Sequence, residues 1–356
     1  MSLNNFELIK VLGKGAFGQV CLVKRNKDGN KYAMKRVKIL KSSEPEIEGE
    51  LNEIRLLSSL NHINVIGYKE AFYDKPSNTL NIVMEYADGG DLAKRIEINK
   101  KRCSLFDENL IWEWVFQLLY GVSFLHSHHI IHRDLKTANI FLMKNDILKI
   151  GDLNVSKLAK KGYARTKTGT PICIAPEVWD NQAYDYKCDI WSLGCVIYEI
   201  CTLSPPFNGI NLKQLISNIK SGKFNPISSY YSNDLKQIID WMLVVNPNMR
   251  KSSKELLYSD IIRRKIKTIS RKDIIDKVVK TFYSCDLKKT IIMPRKINKI
   301  NKVLPKENYE MGENDHYINN KETQKEKIIT DKIIINNNKP VIEKFEYKKP
   351  NRKKKG

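Results

Sequence analysis

The sequence predicts an α+β fold with two lobes, the first of which is small and rich in strands. Between residues 6 and 84, short strand-like runs such as Phe6–Leu12 and Gln19–Val23 alternate with turn signals. One segment interrupts this pattern, because apolar residues from Pro45 to Leu60 recur at helical spacing. We therefore expect a small lobe of five strands and one helix over about residues 6–84.

The pattern changes after the Asp88-Gly89-Gly90 turn, which indicates a hinge over residues 85–90 and a helical lobe over residues 91–262. Leu110–His126 is a long apolar run that favours a helix over a strand. Further helices are expected over Ile190–Thr202, Leu212–Ile219 and Asp234–Leu243. A β-rich lobe, a hinge and an α-rich lobe complete the predicted architecture.

The residues from 263 to 356 form a basic segment of low complexity. This segment is rich in Lys, Asn and Ile and holds 27 Lys/Arg against 12 Asp/Glu, within a chain whose net charge is +22. Its composition predicts a largely disordered tail. Opposite charge would draw the tail to an anionic partner such as a microtubule surface or nucleic acid. The alternative, which stays open, is a solvated tail that binds no partner and whose lysine content reflects only the base composition of the genome.

Several classes of protein are excluded by the composition. The chain has no run of about 18 apolar residues, so no membrane insertion is expected. The N-terminus lacks the basic and apolar regions of a secretory signal, and the seven cysteines form no Cys-x-x-Cys pair. We therefore expect a cytoplasmic protein with reduced thiols, and the nucleus or the cytoskeleton as further locations.

A glycine-rich loop follows the first strand. Gly13, Gly15 and Gly18 have the spacing Gly-x-Gly-x-x-Gly, and Val20 comes two residues later. Glycines let the backbone approach phosphate oxygens closely, so the loop can cover a nucleotide. A dinucleotide-binding fold would open a helix here, whereas this chain returns into the strand Gln19–Val23.

A lysine on the third strand is the candidate phosphate ligand. Lys35 ends the run Tyr32-Ala33-Met34-Lys35, and a lysine in this position can reach nucleotide phosphates and pair with a helix carboxylate. Glu53, on the predicted helix, is the candidate partner. A solvated surface lysine is the ordinary alternative, but the preceding glycine loop favours the phosphate role.

The run His132–Asn139 is the strongest chemical signal in the chain. Asp134 can accept or orient the proton of an attacking hydroxyl group, and Lys136 can balance charge on a transferred phosphoryl group. Asn139 offers an amide oxygen to a magnesium ion, and Asp152, 18 residues after Asp134, offers a carboxylate. Four roles at fixed offsets predict phosphoryl transfer assisted by Mg²⁺.

Two further carboxylates are predicted to have structural roles. Glu177 needs a buried cation, for which Arg250 is the candidate. Asp189 opens the predicted buried helix, where its carboxylate can brace backbone amides of the catalytic loop.

These motifs together resemble those of the eukaryotic protein kinase superfamily, over nearly all of residues 6–260. Lys136 followed by Thr137 resembles the serine/threonine branch. Within this branch, four runs resemble the NimA-related (NEK) family: Val83–Leu92, Lys136–Leu142, Gly151–Lys157 and Lys187–Cys195. The resemblance implies a bilobal protein kinase fold, ATP and Mg²⁺ as cofactors, and protein substrates that carry Ser or Thr hydroxyl groups.

The resemblance also implies the residues that contact ATP. Met84 would be the gatekeeper beside the adenine pocket, Glu85 and Ala87 would offer hinge backbone groups, and Asp91 would face the ribose. The remaining ATP-binding residues lie in the glycine-rich loop, around the adenine ring or at the phosphates: Leu12, Gly13, Lys14, Gly15, Ala16, Phe17, Gly18, Gln19, Val20, Ala33, Lys35 and Phe141.

The chain departs from the family pattern at several places, two of which concern the active site and substrate docking. Asp152-Leu153-Asn154 stands where the family has Asp-Phe-Gly, so the metal ligand is kept while the next two residues differ. Ile172 and Cys173 replace two aromatic residues that usually follow Gly-Thr-Pro, so substrate docking there is expected to differ. The first departure suggests that the site changes between its active and inactive states differently from other members, while catalysis is retained.

The segment between Asp152 and Gly169 is predicted to control activity. Thr166, or Thr168 as second choice, is the expected phosphorylation site, and Arg133 could pair with its phosphate. Thr170 is expected to contact the catalytic loop. A loop that needs no phosphate, with Arg133 paired to a carboxylate, is the alternative.

Two functions follow from the sequence. The first is an active serine/threonine kinase that transfers the γ-phosphoryl group of ATP to protein hydroxyl groups. The alternative is a pseudokinase scaffold that binds partners without catalysis, and the altered Asp152-Leu153-Asn154 triplet would be the sign of this loss. Because Lys35, Glu53, Asp134, Asn139 and Asp152 are all present, catalysis is favoured.

Overall fold

The computed structural model describes residues 2–14, 18–39, 44–144, 146–152, 172–180, 182, 184–269, 271–273, 275–276 and 297–309. These residues all belong to one compact unit, Met1–Glu310. They form a strand-rich small lobe and a helical large lobe, which confirms the α+β class predicted from the sequence.

The small lobe is an antiparallel five-stranded sheet with one long helix. The strand order is β1-β2-β3-β5-β4, so β1 and β4 are the edges. The strands are β1 (Phe6–Lys14), β2 (Gly18–Arg25), β3 (Lys31–Lys38), β4 (Tyr68–Asp74) and β5 (Thr79–Glu85). Helix α1 (Glu44–Ser59) connects β3 to β4, and its apolar residues Leu51 and Ile54 are buried in the main core.

The large lobe is built around two buried helices. Helices α3 (Glu108–Ser127) and α5 (Lys187–Thr202) are apolar on nearly every face, which is typical of helices enclosed by others. The other α-helices and strands of the described part are α2 (Leu92–Lys101), the hairpin strands β6 (Ile140–Leu142) and β7 (Leu148–Ile150), α4 (Pro176–Trp179), α6 (Leu212–Ser221), α7 (Asn233–Met242), α8 (Ser253–Leu257) and α9 (Asp260–Thr268).

Four of these helices were not predicted from the sequence, namely α2, α4, α8 and α9. Helix α2 buries only Leu92 and Ile96, so its apolar periodicity is too weak to be recognised. Helices α4 and α8 are at most five residues long. Helix α9 crosses the predicted end of the second lobe at residue 262 and ends at Thr268.

The two faces of the small-lobe sheet are covered differently. One face packs with α1 in the main core, whereas the other carries a separate cluster that includes Cys21, Met34 and Phe72. The described residues 297–309 lie against the edge strand β4. Among the described helices, none is both long and apolar enough to cross a membrane.

Candidate active site

The strand register brings four predicted ATP-binding residues to one face of the sheet. Val20 on β2 pairs with Lys35 on β3, and Ala33 on β3 pairs with Met84 on β5. Ala33 and Lys35 are two residues apart, so their side chains point to the same side. The intervening Met34 points to the opposite, buried cluster.

Strand β1 extends further into the glycine-rich motif than the sequence suggested. Strand β1 continues through Gly13 to Lys14, which pairs with Gln19, and β2 begins at Gly18. Gly18 cannot carry a side chain, because a Cβ atom there would lie 1.9 Å from the carbonyl oxygen of Arg36. Leu12 is partly exposed on β1. The predicted residues Gly15, Ala16 and Phe17 lie outside the described residues.

Lys35 is held by two carboxylates of α1. Its Nζ atom donates to Oε2 of Glu53 at 2.9 Å and to Oε1 at 3.1 Å. Oε2 of Glu50, one helical turn earlier, lies 3.0 Å from the same Nζ atom. Glu50 was not predicted from the sequence, although its i−3 position relative to Glu53 places both carboxylates on one face of α1.

The charge balance around Lys35 is negative. Burial raises the pKa of Glu53 to about 7; Glu50 and Asp152 also raise this pKa, whereas Lys35 lowers it. Burial lowers the pKa of Lys35, but Glu53 and Glu50 outweigh burial and raise it above its ordinary value. Lys35 therefore keeps its proton, while burial and the neighbouring carboxylates hold the pKa of Glu53 well above its ordinary value.

The catalytic loop gathers its polar residues around Asp134. The Nζ atom of Lys136 lies 3.1 Å from Oδ2 of Asp134. The Asn139 amide nitrogen donates to the Asp134 backbone oxygen at 2.8 Å and to its Oδ2 atom at 3.2 Å. These bonds fix the orientation of the Asn139 amide and assign its oxygen as the atom that can bind a metal.

Asp189 holds the backbone of the catalytic loop, the run His132–Asn139, in place. Its two carboxylate oxygens accept the backbone N–H groups of His132 and Arg133, both at 2.8 Å. Its Oδ2 atom also contacts Nε2 of His126 at 3.0 Å, a partner that the sequence did not suggest. Burial would raise the pKa of Asp189, but the contact with His126 and the backbone hydrogen bonds lower it, so the carboxylate is ionised.

The loop that carries Asp152 is bonded to the catalytic loop. Nε2 of His132 donates to the Gly151 carbonyl oxygen at 2.9 Å, and the Gly151 N–H donates to the Asn139 carbonyl oxygen at 3.0 Å. A Cβ atom on Gly151 would lie 2.7 Å from the ring of Phe141, so this close approach requires glycine. Asp152 itself has a φ of 56°, a left-handed conformation that is typical of strained functional residues.

The residues present fit a magnesium ion. Asn139 and Asp152 offer an amide oxygen and a carboxylate, the hard ligands that Mg²⁺ prefers. The described residues contain no cluster of three His, Cys, Asp or Glu side chains that could hold a metal alone. A site with two protein ligands suits Mg²⁺, which takes its remaining ligands from phosphates and water.

Some polar groups of the hinge residues are bonded to neighbouring parts of the protein. The N–H of Glu85 donates to the Gly67 carbonyl oxygen at 2.8 Å, and its carboxylate lies 2.9 Å from Nζ of Lys149. The Asp91 side chain caps α2 by accepting the Lys94 N–H at 2.9 Å, which the sequence did not anticipate. Ala87 is buried beside them.

Glu177 and Arg250 form a buried, two-point ion pair. Nη1 and Nη2 of Arg250 donate to Oε1 and Oε2 of Glu177 at 2.8 and 3.0 Å. The guanidinium also donates to backbone carbonyl groups of Val244, Val245 and Lys187, so the Arg250 side chain is fully enclosed. This pairing was predicted from the sequence. Thr166, Thr168 and Thr170 lie outside the described residues.

Comparison with known proteins agrees with this architecture. The protein kinase domain family matches residues 6–262. A sheet-and-helix small lobe, a braced catalytic loop and an adjacent metal-binding aspartate define a phosphotransferase of this kind, and the chain belongs to the protein kinase family. Members of this family generally use ATP and Mg²⁺ and act on protein substrates.

Curated proteins similar to the chain include Nek kinases, which confirms the NEK resemblance. The chain is 38% identical over 269 residues to a probable serine/threonine-protein kinase nek2 of Dictyostelium discoideum, which covers 74% of this chain and 64% of that protein. It is 40% identical over 258 residues to human serine/threonine-protein kinase Nek5, covering 72% and 36%. The similarity to mouse Nek1, at 37% identity, covers only 22% of that protein. The match thus spans less than two thirds of these relatives.

Proposed function

We propose that this chain is an active serine/threonine protein kinase of NEK type, which transfers the γ-phosphoryl group of ATP to protein hydroxyl groups. One chain of contacts carries the proposal. Asp134 is hydrogen-bonded to Asn139, whose carbonyl oxygen accepts the N–H of Gly151. Asp152 follows Gly151 in the chain, and Lys35 is held separately by its ion pair with Glu53. The residues proposed to act on the nucleophile and on the metal are thus joined by hydrogen bonds, and the proposed phosphate ligand is fixed by its own carboxylate partner.

Asp134 is the residue proposed to act on the nucleophile. Its carboxylate accepts or orients the proton of the attacking Ser or Thr hydroxyl group. Lys136, 3.1 Å away and partly exposed, reaches the surface where a protein substrate would lie and balances charge on the phosphoryl group. Because Asn139 and the His132 ring hold the loop, Asp134 needs little reorganisation during the reaction.

Lys35, Asn139 and Asp152 are proposed to position the triphosphate. Lys35 is a protonated cation held in place by α1, which suits a ligand of the α- and β-phosphates. Asn139 and Asp152 would hold Mg²⁺. When bound, Mg²⁺ supplies positive charge that neutralises the phosphate oxygens.

The nucleotide base is proposed to lie on the sheet face of Val20 and Ala33, with Phe141 on its other side. Met84 limits the depth of this pocket. Since the N–H of Glu85 is bonded to Gly67, its carbonyl group is the atom left to accept the adenine amino group. Ala87 would supply the second hinge contact.

The pseudokinase alternative is weaker on physical grounds. It requires the loss of a group that the chemistry needs, yet Lys35, Glu53, Asp134, Asn139 and Asp152 are all present. Lys35 is bonded to Glu53, and Asp134 is bonded to Asn139. The two altered residues of the triplet, Leu153 and Asn154, are not ligands of metal or phosphate in this proposal.

A transfer assay tests the proposal. The full chain is incubated with radiolabelled ATP, Mg²⁺ and casein or myelin basic protein, followed by phosphoamino-acid analysis. We expect labelled phosphoserine or phosphothreonine with the native chain and none with Asp152→Ala. Nucleotide binding by the native chain without any transfer would favour the pseudokinase alternative.

We further propose that the basic tail binds an anionic partner and thereby directs a cytoplasmic enzyme to the cytoskeleton or the nucleus. The support is the excess of Lys and Arg over Asp and Glu between residues 263 and 356. The test is the salt dependence of binding, which is described in the Discussion.

A further inference from the structure

Residues 297–309, here called the C-terminal strap, run along the edge strand β4. The strap begins with a 3-10 turn, Ile297–Lys302, and ends at Tyr309. An edge strand has backbone N–H and C=O groups that no neighbouring strand of its sheet can satisfy. On β4, several of these groups are bonded to the strap.

The first contact involves Asn301. Its Oδ1 atom accepts the backbone N–H of Tyr73 at 2.6 Å, and its Nδ2 atom donates to the Tyr73 carbonyl oxygen at 3.0 Å. One side-chain amide therefore satisfies both edge groups of Tyr73, as a neighbouring strand would. The adjacent Ile300 is fully buried in the main core, which also contains Leu51 and Ile54 of α1.

The second contact lies at the other end of β4. The Tyr68 hydroxyl donates to the Pro305 carbonyl oxygen at 3.2 Å, and the Asn308 N–H donates to the Lys69 carbonyl oxygen at 2.6 Å. The strap thus follows β4 over most of its length.

The third contact lies on the outer face of the sheet. The Arg25 guanidinium carbon is 3.4 Å from the centre of the Tyr309 ring, and Glu307 pairs with Arg25 at 3.1 Å. Tyr309 also meets Tyr32 edge to face, with ring centres 5.3 Å apart. The Arg25 side chain is only 10% exposed, so this cation–π contact is largely shielded from water.

The strap therefore passes from the core that contains α1, around the β4 edge, to the opposite face of the sheet. Ala71 and Tyr73 of β4 belong to the same core as the apolar face of α1, the helix that carries Glu50 and Glu53. A segment that fixes β4 also fixes the surface on which α1 rests.

We propose that the β4 edge and the Arg25–Tyr32 face form a docking surface for the chain's own C-terminal strap, and that docking holds α1 where Glu53 pairs with Lys35. The second half rests on the proposed kinase function. The strap is covalently attached, so its effective concentration at this surface is of the order of mM and it excludes a free peptide of the same sequence.

The test uses the full chain with Asn301→Ala and Tyr309→Ala combined, and a labelled synthetic peptide of residues 297–309. The matched control chain carries Lys302→Ala and Lys306→Ala, which change exposed strap residues. Peptide binding is measured by fluorescence anisotropy, and hydrogen exchange is measured over residues 68–74.

We expect the labelled peptide to bind the double variant at least about tenfold more tightly than it binds the native or control chain, because only the variant has released its strap. Hydrogen exchange in β4 should be about tenfold faster in the double variant and should slow again when the peptide saturates it. Peptides with Asn301→Ala or Tyr309→Ala should bind at least about tenfold more weakly. These peptides leave the folding of the chain unaffected.

Equal peptide binding by all three chains, together with unchanged exchange in β4, would overturn the docking surface. If docking holds, the double variant should lose about five- to tenfold in kcat/KM for ATP and recover it with the peptide. Docking without any change in kcat/KM would overturn the coupling to α1. Because binding and exchange need no catalysis, an inactive native chain would contradict the kinase proposal and leave docking to be judged separately.

Discussion

Lys35 donates to both carboxylate oxygens of Glu53, at 2.9 and 3.1 Å, across the interface between strand β3 and helix α1. The Glu53 side chain is enclosed, with only 3% exposed, whereas the Lys35 side chain keeps 22% exposure. Glu50 approaches the same ammonium group at 3.0 Å. Two carboxylates thus share one lysine, and Asp152 adds a further negative charge nearby.

This arrangement predicts that activity rises as pH increases through neutrality. The pKa of Glu53 is about 7 because of burial and the neighbouring carboxylates, so the ion pair with Lys35 is complete only above that pH. Replacing Glu50 by Gln removes a like charge, lowers the pKa of Glu53 and should move the acidic limb of kcat/KM to lower pH. Glu48→Gln, an exposed change on the same helix, should leave the profile in place.

Stability should change with pH in the opposite direction to activity. Between the ordinary pKa of 4.5 and about 7, the folded chain holds a proton on Glu53 that the unfolded chain has released. The contribution of Glu53 to the free energy of unfolding therefore decreases as pH rises through this window. A profile in Glu50→Gln that matched the native one in both activity and stability would contradict the shared-lysine arrangement.

The buried pair of Glu177 and Arg250 is predicted to be a major source of stability in the large lobe. Replacing Arg250 by Met leaves the Glu177 carboxylate buried without its partner and frees three backbone carbonyl groups. We expect a loss of about 3–5 kcal/mol in the free energy of unfolding, measured by urea denaturation.

Arg264 provides the control for this prediction. It pairs with Asp234 at 3.1 Å, but its side chain is 60% exposed. Arg264→Met should therefore cost less than about 1 kcal/mol. Equal losses for the two arginine variants would show that burial does not set the strength of the Glu177 pair.

Phosphorylation of Thr166, or of Thr168 as second choice, is predicted to activate the enzyme. Arg133 has a φ of 69°, and among the described residues its buried Nε atom has no hydrogen-bond partner. A phosphate would supply that partner, since charge-assisted bonds between phosphate and guanidinium are strong. Mass spectrometry of the active protein should find phosphate at one of these threonines. Full activity in the Thr166→Ala, Thr168→Ala double variant would rule out this mode of activation.

The basic tail is predicted to bind an anionic partner in a salt-dependent way. Removal of the whole tail from residue 263 would also remove the C-terminal strap, so charge changes are preferable. Replacing Arg352, Lys353, Lys354 and Lys355 by Gln should lower the slope of log affinity against log salt for nucleic acid by roughly one per lost phosphate contact. The same variant and the native chain are also compared by co-sedimentation with microtubules at several salt concentrations.

The control neutralises an exposed basic run of the large lobe, Lys100, Lys101 and Arg102, by the same substitution. It should leave the salt slope almost unchanged. If the tail variant and this control behave alike, the basic cluster at residues 352–355 takes no part in binding, which would contradict the proposal.

The sequence singled out most of the polar residues that the structure places around Asp134 and Lys35, because phosphoryl transfer requires particular polar groups at fixed offsets. Asp134, Asn139 and Asp152 follow from such offsets, and the pairing of Glu177 with Arg250 follows from the need of a buried carboxylate for a cation. Glu50 was missed because Glu53 had already been assigned as the carboxylate partner of Lys35, and no second partner was sought.

Other parts of the structure left little trace in the sequence. The C-terminal strap is anchored by backbone hydrogen bonds and by Asn301, Ile300 and Tyr309, which show no periodicity in a Lys- and Asn-rich segment. The role of Asp91 as a helix cap was not recognised because helix α2 buries only two side chains. Long apolar helices such as α3 and α5 were predicted to within about three residues at each end.

The central claim, that Asp134 catalyses transfer to a protein hydroxyl group, is tested most directly by steady-state kinetics of Asp134→Ala beside the native chain. The side chain of Asp134 bonds to the Asn139 amide, and this amide keeps its 2.8 Å bond to the Asp134 backbone oxygen in the variant, so ATP binding should be preserved. We predict that kcat for phosphorylation of Ser or Thr falls by about 10²–10⁴-fold while the KM for ATP changes little. A kcat in Asp134→Ala close to that of the native chain would contradict the proposed mechanism.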